Sequence, residues 1–133
     1  CTALSQIQLS PNITVIGSYA FRGCTALSQI QLSPNITVIG SYAFRNCTSL
    51  QTIEIPSTVT EIGAYAFSGC TAINSMTVPE GVTAIEKGTF ENCTALREIE
   101  LPDSVDTIGV SAFSHTALSQ ITLPQTLLSI AET

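Results

Sequence analysis

The chain has 133 residues, of which 44% are hydrophobic and 11% charged, and its formal net charge is −6. This length suits one modest domain, and no apolar run approaches the roughly 18 residues that cross a bilayer. All ten acidic residues lie in residues 54–133, whereas residues 1–53 carry Arg22 and Arg45 and no acid. An acidic balance repels phosphates and offers no polybasic handle for anionic lipids. We therefore expect neither nucleic-acid binding nor membrane insertion.

A string of residues occurs twice without change. Residues 1–22 read CTALSQIQLSPNITVIGSYAFR, and residues 24–45 read the same. Weaker copies begin at Cys47, Cys70 and Cys93. A fixed period predicts a solenoid, in which each repeat is one rung that contacts only its neighbours. Because the chain starts in mid-pattern without a methionine, we expect it to be a segment of a longer array. We expect a single domain over 1–133, with repeats at 1–23, 24–46, 47–69, 70–92, 93–114 and 115–133.

Each repeat predicts the same elements in the same order, best seen in residues 47–69. Apolar and polar residues alternate around Ile53–Ile55, which favours a short strand with one buried face. Pro56 cannot donate a ladder hydrogen bond and ends that strand. A second short extended piece is expected around Ile62, and Gly63 allows a turn. The following Ala-Tyr-Ala-Phe is too short for a standard helix and predicts a single 3₁₀ or α turn.

Apolar residues recur at equivalent positions of successive repeats, so their side chains should stack in columns that form the core. The predicted columns are Leu4, Leu27, Leu50, Ile73, Leu96 and Leu118; Ile7, Ile30, Ile53, Met76, Ile99 and Ile121; and Phe21, Phe44, Phe67, Phe90 and Phe113.

The repeats differ from one another at three points. The proline stands one position later in repeats one and two, as at Pro11, than in repeat three, at Pro56, so the turn there should differ. Repeat four has Glu86 in place of the turn glycine, which indicates that this turn does not require a positive φ. Repeat five is one residue short, and we expect His115 to take the end of the cysteine column, one rung from Cys93.

Five cysteines raise the question of a metal or a disulfide. There is one per repeat and no C-x-x-C, so a zinc site is poorly supported. Stacked Cβ atoms with parallel vectors fall outside the usual disulfide geometry. We expect buried free thiols, with disulfides between neighbouring rungs as the alternative. Cys93 and His115 could form a nucleophile and its base, but no insertion builds a pocket, so we interpret His115 as a packing residue. We predict no catalytic residue, no metal and no cofactor.

The outward-facing strand positions are polar and predict one hydrogen-bonding sheet face, the kind of surface on which solenoids bind. A merely solvated face is the alternative. The positions assigned to ligand binding are Gln6, Gln8, Gln29, Gln31, Thr52, Glu54, Ser75, Thr77, Glu98 and Glu100, and Gln120 and Thr122 would continue them. A second column, Tyr19, Tyr42 and Tyr65, could serve an interface, although cladding of the solenoid is the interpretation we favour.

The recurring L-x-x-I-x-L-P, then I-G-x-x-A-F, then C resembles the BspA-like leucine-rich repeats, also called the Treponema pallidum type. The resemblance covers the whole chain. It implies an α/β repeat solenoid of about six 22–23-residue rungs, coiled right-handed, with a parallel β-sheet on the concave side and short extended or 3₁₀ segments on the other. It also implies a cell-surface or secreted protein that adheres to a host matrix or cell-surface protein.

Three functional hypotheses follow. The first is a non-catalytic binding module that acts through the concave polar face. The second is a passive structural spacer or stalk, and the third, disfavoured, is an enzyme. Because the first and last rungs carry no cap, we also expect end-to-end self-association through their open strand edges.

Overall fold

Residues 1–131 are described here from a computed structural model. Their regular elements are short β-strands, and this part of the chain contains no helix. The strands are β1 (Gln6–Gln8), β2 (Val15–Ile16), β3 (Gln29–Gln31), β4 (Val38–Ile39), β5 (Glu61–Ile62), β6 (Ser75–Thr77), β7 (Ala84–Ile85), β8 (Glu98–Glu100), β9 (Thr107–Ile108) and β10 (Ser129–Ile130). Every strand pair is parallel, and Ile7 pairs with Ile30 just as Met76 pairs with Ile99. The chain is therefore a parallel-strand β-solenoid, whose rungs we number one to six after the repeats.

The segment predicted to form a helical turn forms a ladder of tight turns instead. In rung two, the Ala43 amide donates to the Gly40 carbonyl three residues back (3.2 Å). The next amide, that of Phe44, donates to the Ala66 carbonyl of rung three (2.8 Å). Amides thus alternate between a local bond and a bond to the next rung. A helix would direct every amide to its own carbonyls and would leave neighbouring rungs unbonded here.

Two positions of each of repeats one to five have a left-handed backbone. They are Tyr19, Tyr42, Tyr65, Gly88 and Ser111 in one column, and Gly23, Asn46, Gly69, Asn92 and His115 in the other, with φ between 56° and 75°. A positive φ at the third residue of a turn is the mark of type II geometry. Asn is among the non-glycine residues that tolerate it best, which explains the alternation of Gly and Asn in the second column.

The glycines that precede the tight turns form a third column and serve a different purpose. Gly40, Gly63 and Gly109 do not have a positive φ, as the presence of Glu86 in this column predicted. They allow a close approach between rungs, because a Cβ on Gly63 would lie 2.5 Å from the Ser41 nitrogen. Real Cβ atoms do not approach backbone so closely, so glycine lets these rungs stack without a shift of the backbone.

The predicted core columns are confirmed in the middle rungs. The phenylalanine rings stack nearly parallel, with centroids of Phe44 and Phe67 at 5.4 Å and those of Phe67 and Phe90 at 5.8 Å. Leu27, Leu50, Ile73 and Leu96 are fully buried. One contiguous hydrophobic core therefore runs along the solenoid axis, as expected when equivalent residues lie over one another.

The expected change of turn after the strand is wrong. The Ile13 amide donates to the Ser10 carbonyl (3.1 Å), and the Val59 amide donates in the same way to Pro56 (3.0 Å). Pro56 occupies the first position of its turn, and Pro11 the second. Neither position needs an amide N–H for the closing bond, so shifting the proline leaves the turn unchanged.

The predicted place of His115 is also wrong. Its φ of 58° matches the 59° of Asn92, so His115 continues the Gly and Asn column. The next residue, Thr116, takes the cysteine position, since its amide donates to Phe113 (3.3 Å) as that of Cys93 donates to Phe90 (3.2 Å). The missing residue therefore follows Thr116.

The strands do not form continuous sheets. On the side predicted to bind, β1 pairs with β3 and β6 with β8, and rung three contributes only a bridge between Gln29 and Thr52. On the other side, one sheet has the order β2-β4-β5 and a second has β7, β9 and β10. Both sides are interrupted between rungs three and four.

Candidate binding surface

The outward side chains of four strands, β1, β3, β6 and β8, form one surface together with Thr52 and Glu54. We call this surface the ladder face. In each of these strands the flanking residues point outward and are exposed, while the central one, as in β3, turns toward the core. All ten residues predicted to bind are exposed. The parallel strands pair residues that are 23 positions apart, so equivalent residues of successive repeats lie over one another. This pairing brings the predicted residues onto one side of the solenoid.

The ladder face changes chemistry along the solenoid axis. Rungs one and two present glutamine amides, which both donate and accept hydrogen bonds, and the Gln6 Nε2 donates to the Gln29 Oε1 (3.4 Å). Rung five presents Glu98 and Glu100, and the Thr77 hydroxyl donates to the Glu100 carboxylate (3.3 Å). Carboxylates only accept. One end of the face is therefore a neutral amide surface and the other end an acidic one.

The relief of the ladder face is shallow. Grooves lie between β1 and β3 and between rungs three and four, the latter lined by Thr52, Glu54 and Thr77 over Ile55 and Met76. Shallow grooves with polar walls suit contact with an extended surface better than enclosure of a small molecule, which requires a concave pocket.

Gln120 and Thr122, expected to extend the face, are exposed but lie outside any strand. The shorter repeat explains this difference. On the opposite side, Thr107 pairs with Ser129, a shift of one residue relative to the other rungs. On the ladder side, the corresponding segment of rung six does not pair with β8.

A second surface consists of the tyrosine column. The Tyr19 and Tyr42 rings stack at 4.9 Å between centroids, and the Tyr42 and Tyr65 rings at 5.1 Å. The Arg45 guanidinium lies 5.5 Å from the Tyr42 centroid and 5.9 Å from that of Tyr65, and Arg22 lies 5.6 Å from Tyr19. The rings stack on one another and the arginine guanidinium groups pack over the rings. This column therefore covers the side of the solenoid that the tight turns form, which we call the turn side.

The cysteines of rungs two to five are buried free thiols. The Cys47 Sγ donates to the Phe21 carbonyl, and the Cys70 and Cys93 Sγ atoms donate in the same way to carbonyls of the phenylalanine column, each at 3.1 Å. Burial raises the pKa of Cys47 from 9.0 to about 12, with a smaller contribution from Cys24. It raises the pKa of Cys93 to about 12 and that of Cys70 strongly. A thiol of such high pKa is a poor nucleophile and metal ligand at neutral pH.

The structure does not bring His115 and Cys93 together as a catalytic pair. His115 is exposed, and its Nδ1 shares a hydrogen bond with the Ser114 hydroxyl at 2.9 Å. Cys93 is buried and directs its thiol to the Phe67 carbonyl. Among residues 1–131, no three His, Cys, Asp or Glu side chains lie close enough together to hold a metal ion. In the same residues, no helix has the length and apolar character needed to span a membrane.

Sequence reasoning missed two structural features of these surfaces. One is the contact of Arg22 and Arg45 with the tyrosine rings, for which the signal was the Tyr-Ala-Phe-Arg spacing in both identical repeats. The other is the packing of Asn46 over Gly69 in the next rung. Its signal was the alternation of glycine and asparagine at one position of successive repeats.

Comparison with known proteins gives consistent relatives. The chain is 40% identical to a leucine rich cell surface protein from Faecalibacterium prausnitzii A2-165, with a TM-score of 0.91 over 98% of this chain. It is 26% identical to the Treponema pallidum leucine rich repeat protein, with a TM-score of 0.68 over 81% of this chain and 60% of that one. It is 27% identical to a leucine-rich repeat protein from Eubacterium ventriosum, with a TM-score of 0.72 over 98% of this chain and 42% of that one.

The chain spans 35% of the length of the Faecalibacterium protein, and no curated protein sequence matches it. A family model described as BspA type leucine rich repeat region, in six copies, matches residues 14–133. That match covers well over half of the chain, and the parallel rungs have the fold of these relatives. The chain therefore belongs to the BspA-type leucine-rich repeat family.

Proposed function

We propose that the chain is a non-catalytic protein-binding and adhesion module of a cell-surface protein. The ladder face would lie on the concave side of a right-handed coil and would contact a host matrix or cell-surface protein. The observation that carries this proposal is the exposure of all ten predicted residues in register on one side of the solenoid. The cell-surface description of the 40% identical Faecalibacterium protein supports the location.

The chemistry of the ladder face fits a protein partner. Glutamine, threonine and glutamate side chains offer many hydrogen bonds of both polarities across a surface without an enclosed pocket. Protein interfaces carry about one hydrogen bond per 100–200 Å² and include polar rims of this kind. The high pKa of the buried thiols and the separation of His115 from Cys93 give no support to a catalytic role.

The proposal is tested with alanine at Gln29, Gln31, Thr52 and Glu54 together. The probe is a panel of purified extracellular-matrix proteins immobilised on a sensor surface. We expect the wild-type chain to bind at least one of them and the variant to lose that binding at least tenfold.

A matched control carries alanine at four exposed threonines, one per rung, that lie outside the ladder face: Thr25, Thr48, Thr71 and Thr94. It should bind like the wild type. Equal binding by the ladder-face variant would overturn the role of that face. Absence of binding to every member of the panel would favour a passive spacer, in which the solenoid only holds other parts of a surface protein apart.

A further inference from the structure

One junction of the solenoid lacks bonds that the others have. The amides of Gly40, Gly63 and Gly109 each donate to an isoleucine carbonyl of the preceding rung at 2.7–2.8 Å. At the junction between rungs three and four, the equivalent bond would join the Glu86 amide to the Ile62 carbonyl, and it is absent.

A second bond is missing at the same place. The Thr60 amide donates to Thr37 of the rung before it (2.9 Å), and the Asp106 amide donates to Thr83 (2.9 Å), but the Thr83 amide has no such bond to Thr60. Neither sheet crosses from rung three to rung four. This junction thus lacks strand hydrogen bonds on the ladder side and on the opposite side, although Ile62 and Ile85 remain buried between the two rungs.

The sequence supplies a cause for the opening. Glycine occupies the position before the tight turns in rungs one, two, three and five, and Ala131 occupies it in rung six, whereas rung four has Glu86. A Cβ on Gly109 would lie 2.6 Å from the Lys87 nitrogen, so a residue with a Cβ needs a shift of the backbone here. Ala131 keeps the bond to the Ile108 carbonyl (2.8 Å) despite its Cβ. Glu86, which has the longest side chain at this position, lacks the bond.

The turn side of the same junction stays closed. The amides of Tyr65, Phe67 and Gly69 donate to carbonyls of rung four at 2.8–3.0 Å. The Phe67 and Phe90 rings remain stacked, at 5.8 Å, and the Cys93 thiol reaches back to the Phe67 carbonyl (3.1 Å). The two stacks of rungs are thus hydrogen-bonded along the turn side and packed together without strand hydrogen bonds along the two other sides, which is the arrangement expected of a hinge.

We propose that the junction between rungs three and four is a built-in hinge, set by Glu86, about which rungs one to three and rungs four to six open and close. Local opening concentrates where backbone hydrogen bonds are few, and hinges are small sets of residues at the ends of elements. The axis of the hinge is the ladder of tight turns that remains bonded.

The position of the hinge bears on binding, and this step rests on the proposed function. The opening divides the ladder face between Thr52 and Glu54 on one stack and Ser75 and Thr77 on the other. A partner that spans both halves would select the hinge angle that fits it. The half that carries the glutamine amides and the half that carries Glu98 and Glu100 would then change their relative angle.

The test is residue-resolved amide hydrogen exchange by NMR on the Glu86→Gly and Glu86→Ala variants. Because the Ala131 amide makes the equivalent bond (2.8 Å), glycine and alanine should both let the two missing bonds form, and exchange at positions 83 and 86 should slow at least tenfold in both variants. Unchanged exchange in both variants, or slow exchange at these positions in the wild type, would overturn the proposal.

A reciprocal pair of variants creates a hinge elsewhere. Gly109→Glu places a glutamate against rung four, as Glu86 stands against rung three, and exchange of the amides at 106 and 109 should accelerate at least tenfold. Gly17→Glu is the control, because nothing lies within 4 Å of a Cβ at that position, and it should leave exchange at 106 and 109 unchanged. Because these measurements need no ligand, their outcome is independent of whether the ladder face binds a protein.

Discussion

Removal of one ring from the middle of the phenylalanine column should cost a large part of the stability of the solenoid. Phe67 is fully buried and stacks on Phe44 at 5.4 Å and on Phe90 at 5.8 Å. Truncation of such a side chain to alanine costs about 3–5 kcal/mol, from lost transfer free energy and the cavity left behind. Since small domains have about 5–15 kcal/mol in total, Phe67→Ala should unfold the chain at a markedly lower urea concentration than the wild type.

Urea denaturation followed by far-ultraviolet circular dichroism measures this loss. The matched control is Phe113→Ala, because Phe113 is only half-buried and stacks on Phe90 alone, at 5.7 Å. It should cost about half as much, in proportion to the apolar area it buries. Phe67→Leu keeps most of the volume and loses the ring contacts, which are worth about 0.5–1.5 kcal/mol each. Equal costs at positions 67 and 113, or a cost below about 1 kcal/mol at position 67, would refute the axial core.

Three further predictions follow from the same contacts. First, burial raises the pKa of Cys47 from 9.0 to about 12, so the unfolded chain loses this proton first. Stability is then full below about pH 9 and falls above it by up to about 1.4 kcal/mol per pH unit for each buried thiol. In urea titrations, Cys47→Ala should make that slope shallower, and an unchanged slope would contradict the assignment. Second, Gly69→Ala should cost about 1–2 kcal/mol, because φ is 75° and the new Cβ would meet the Asn46 side chain. Asn46→Gly should relieve part of that cost in a double-mutant cycle, and strict additivity would show that the contact is irrelevant. Third, rung six leaves Leu128 82% and Ile130 57% exposed, so sedimentation should show mass increasing with protein concentration. Replacing both with threonine should reduce that increase, and a strict monomer at high concentration would exclude association through this edge.

The sequence predicted the register of the solenoid because the repeats are nearly identical. When residues 1–22 recur as residues 24–45, any packing that suits one copy suits the next, and a shift of 23 residues superposes them. The same argument placed the phenylalanine and tyrosine columns. It also placed the ten ladder-face residues outward, because side chains alternate between the two sides of a strand.

One repeat alone could not show that the segment predicted to be a helical turn forms a ladder of tight turns. The Ala-Tyr-Ala-Phe segment has the composition of a short helix, and only the carbonyls of the next rung make alternate amides point along the axis. His115 was misplaced for a related reason. The sequence alone allows the missing residue to lie either before or after His115, and the positive φ of His115 assigns it to the Gly and Asn column.

Glu86 shows most clearly what the sequence did and did not contain. Its presence correctly indicated that the turn glycine needs no positive φ, which is a property of one rung. The glycines instead approach the backbone of the preceding rung so closely that a Cβ requires a shift. Reasoning about a single repeat cannot detect such a contact, so the opening between rungs three and four was not predicted.

The turn side gives independent support for a division at the same junction. Tyr19, Tyr42 and Tyr65 hold a left-handed backbone, which costs a non-glycine residue about 1–2 kcal/mol. Stacking of the rings and the arginines above them offset this cost by about 0.5–1.5 kcal/mol per contact. The column then stops at Gly88, where a Cβ would collide with the Tyr65 ring. Rungs one to three therefore have an aromatic and basic turn side without an acid, whereas rung four carries Glu86 there. The chain therefore changes its sheets and its turn side at the same junction, while one hydrophobic core continues through it.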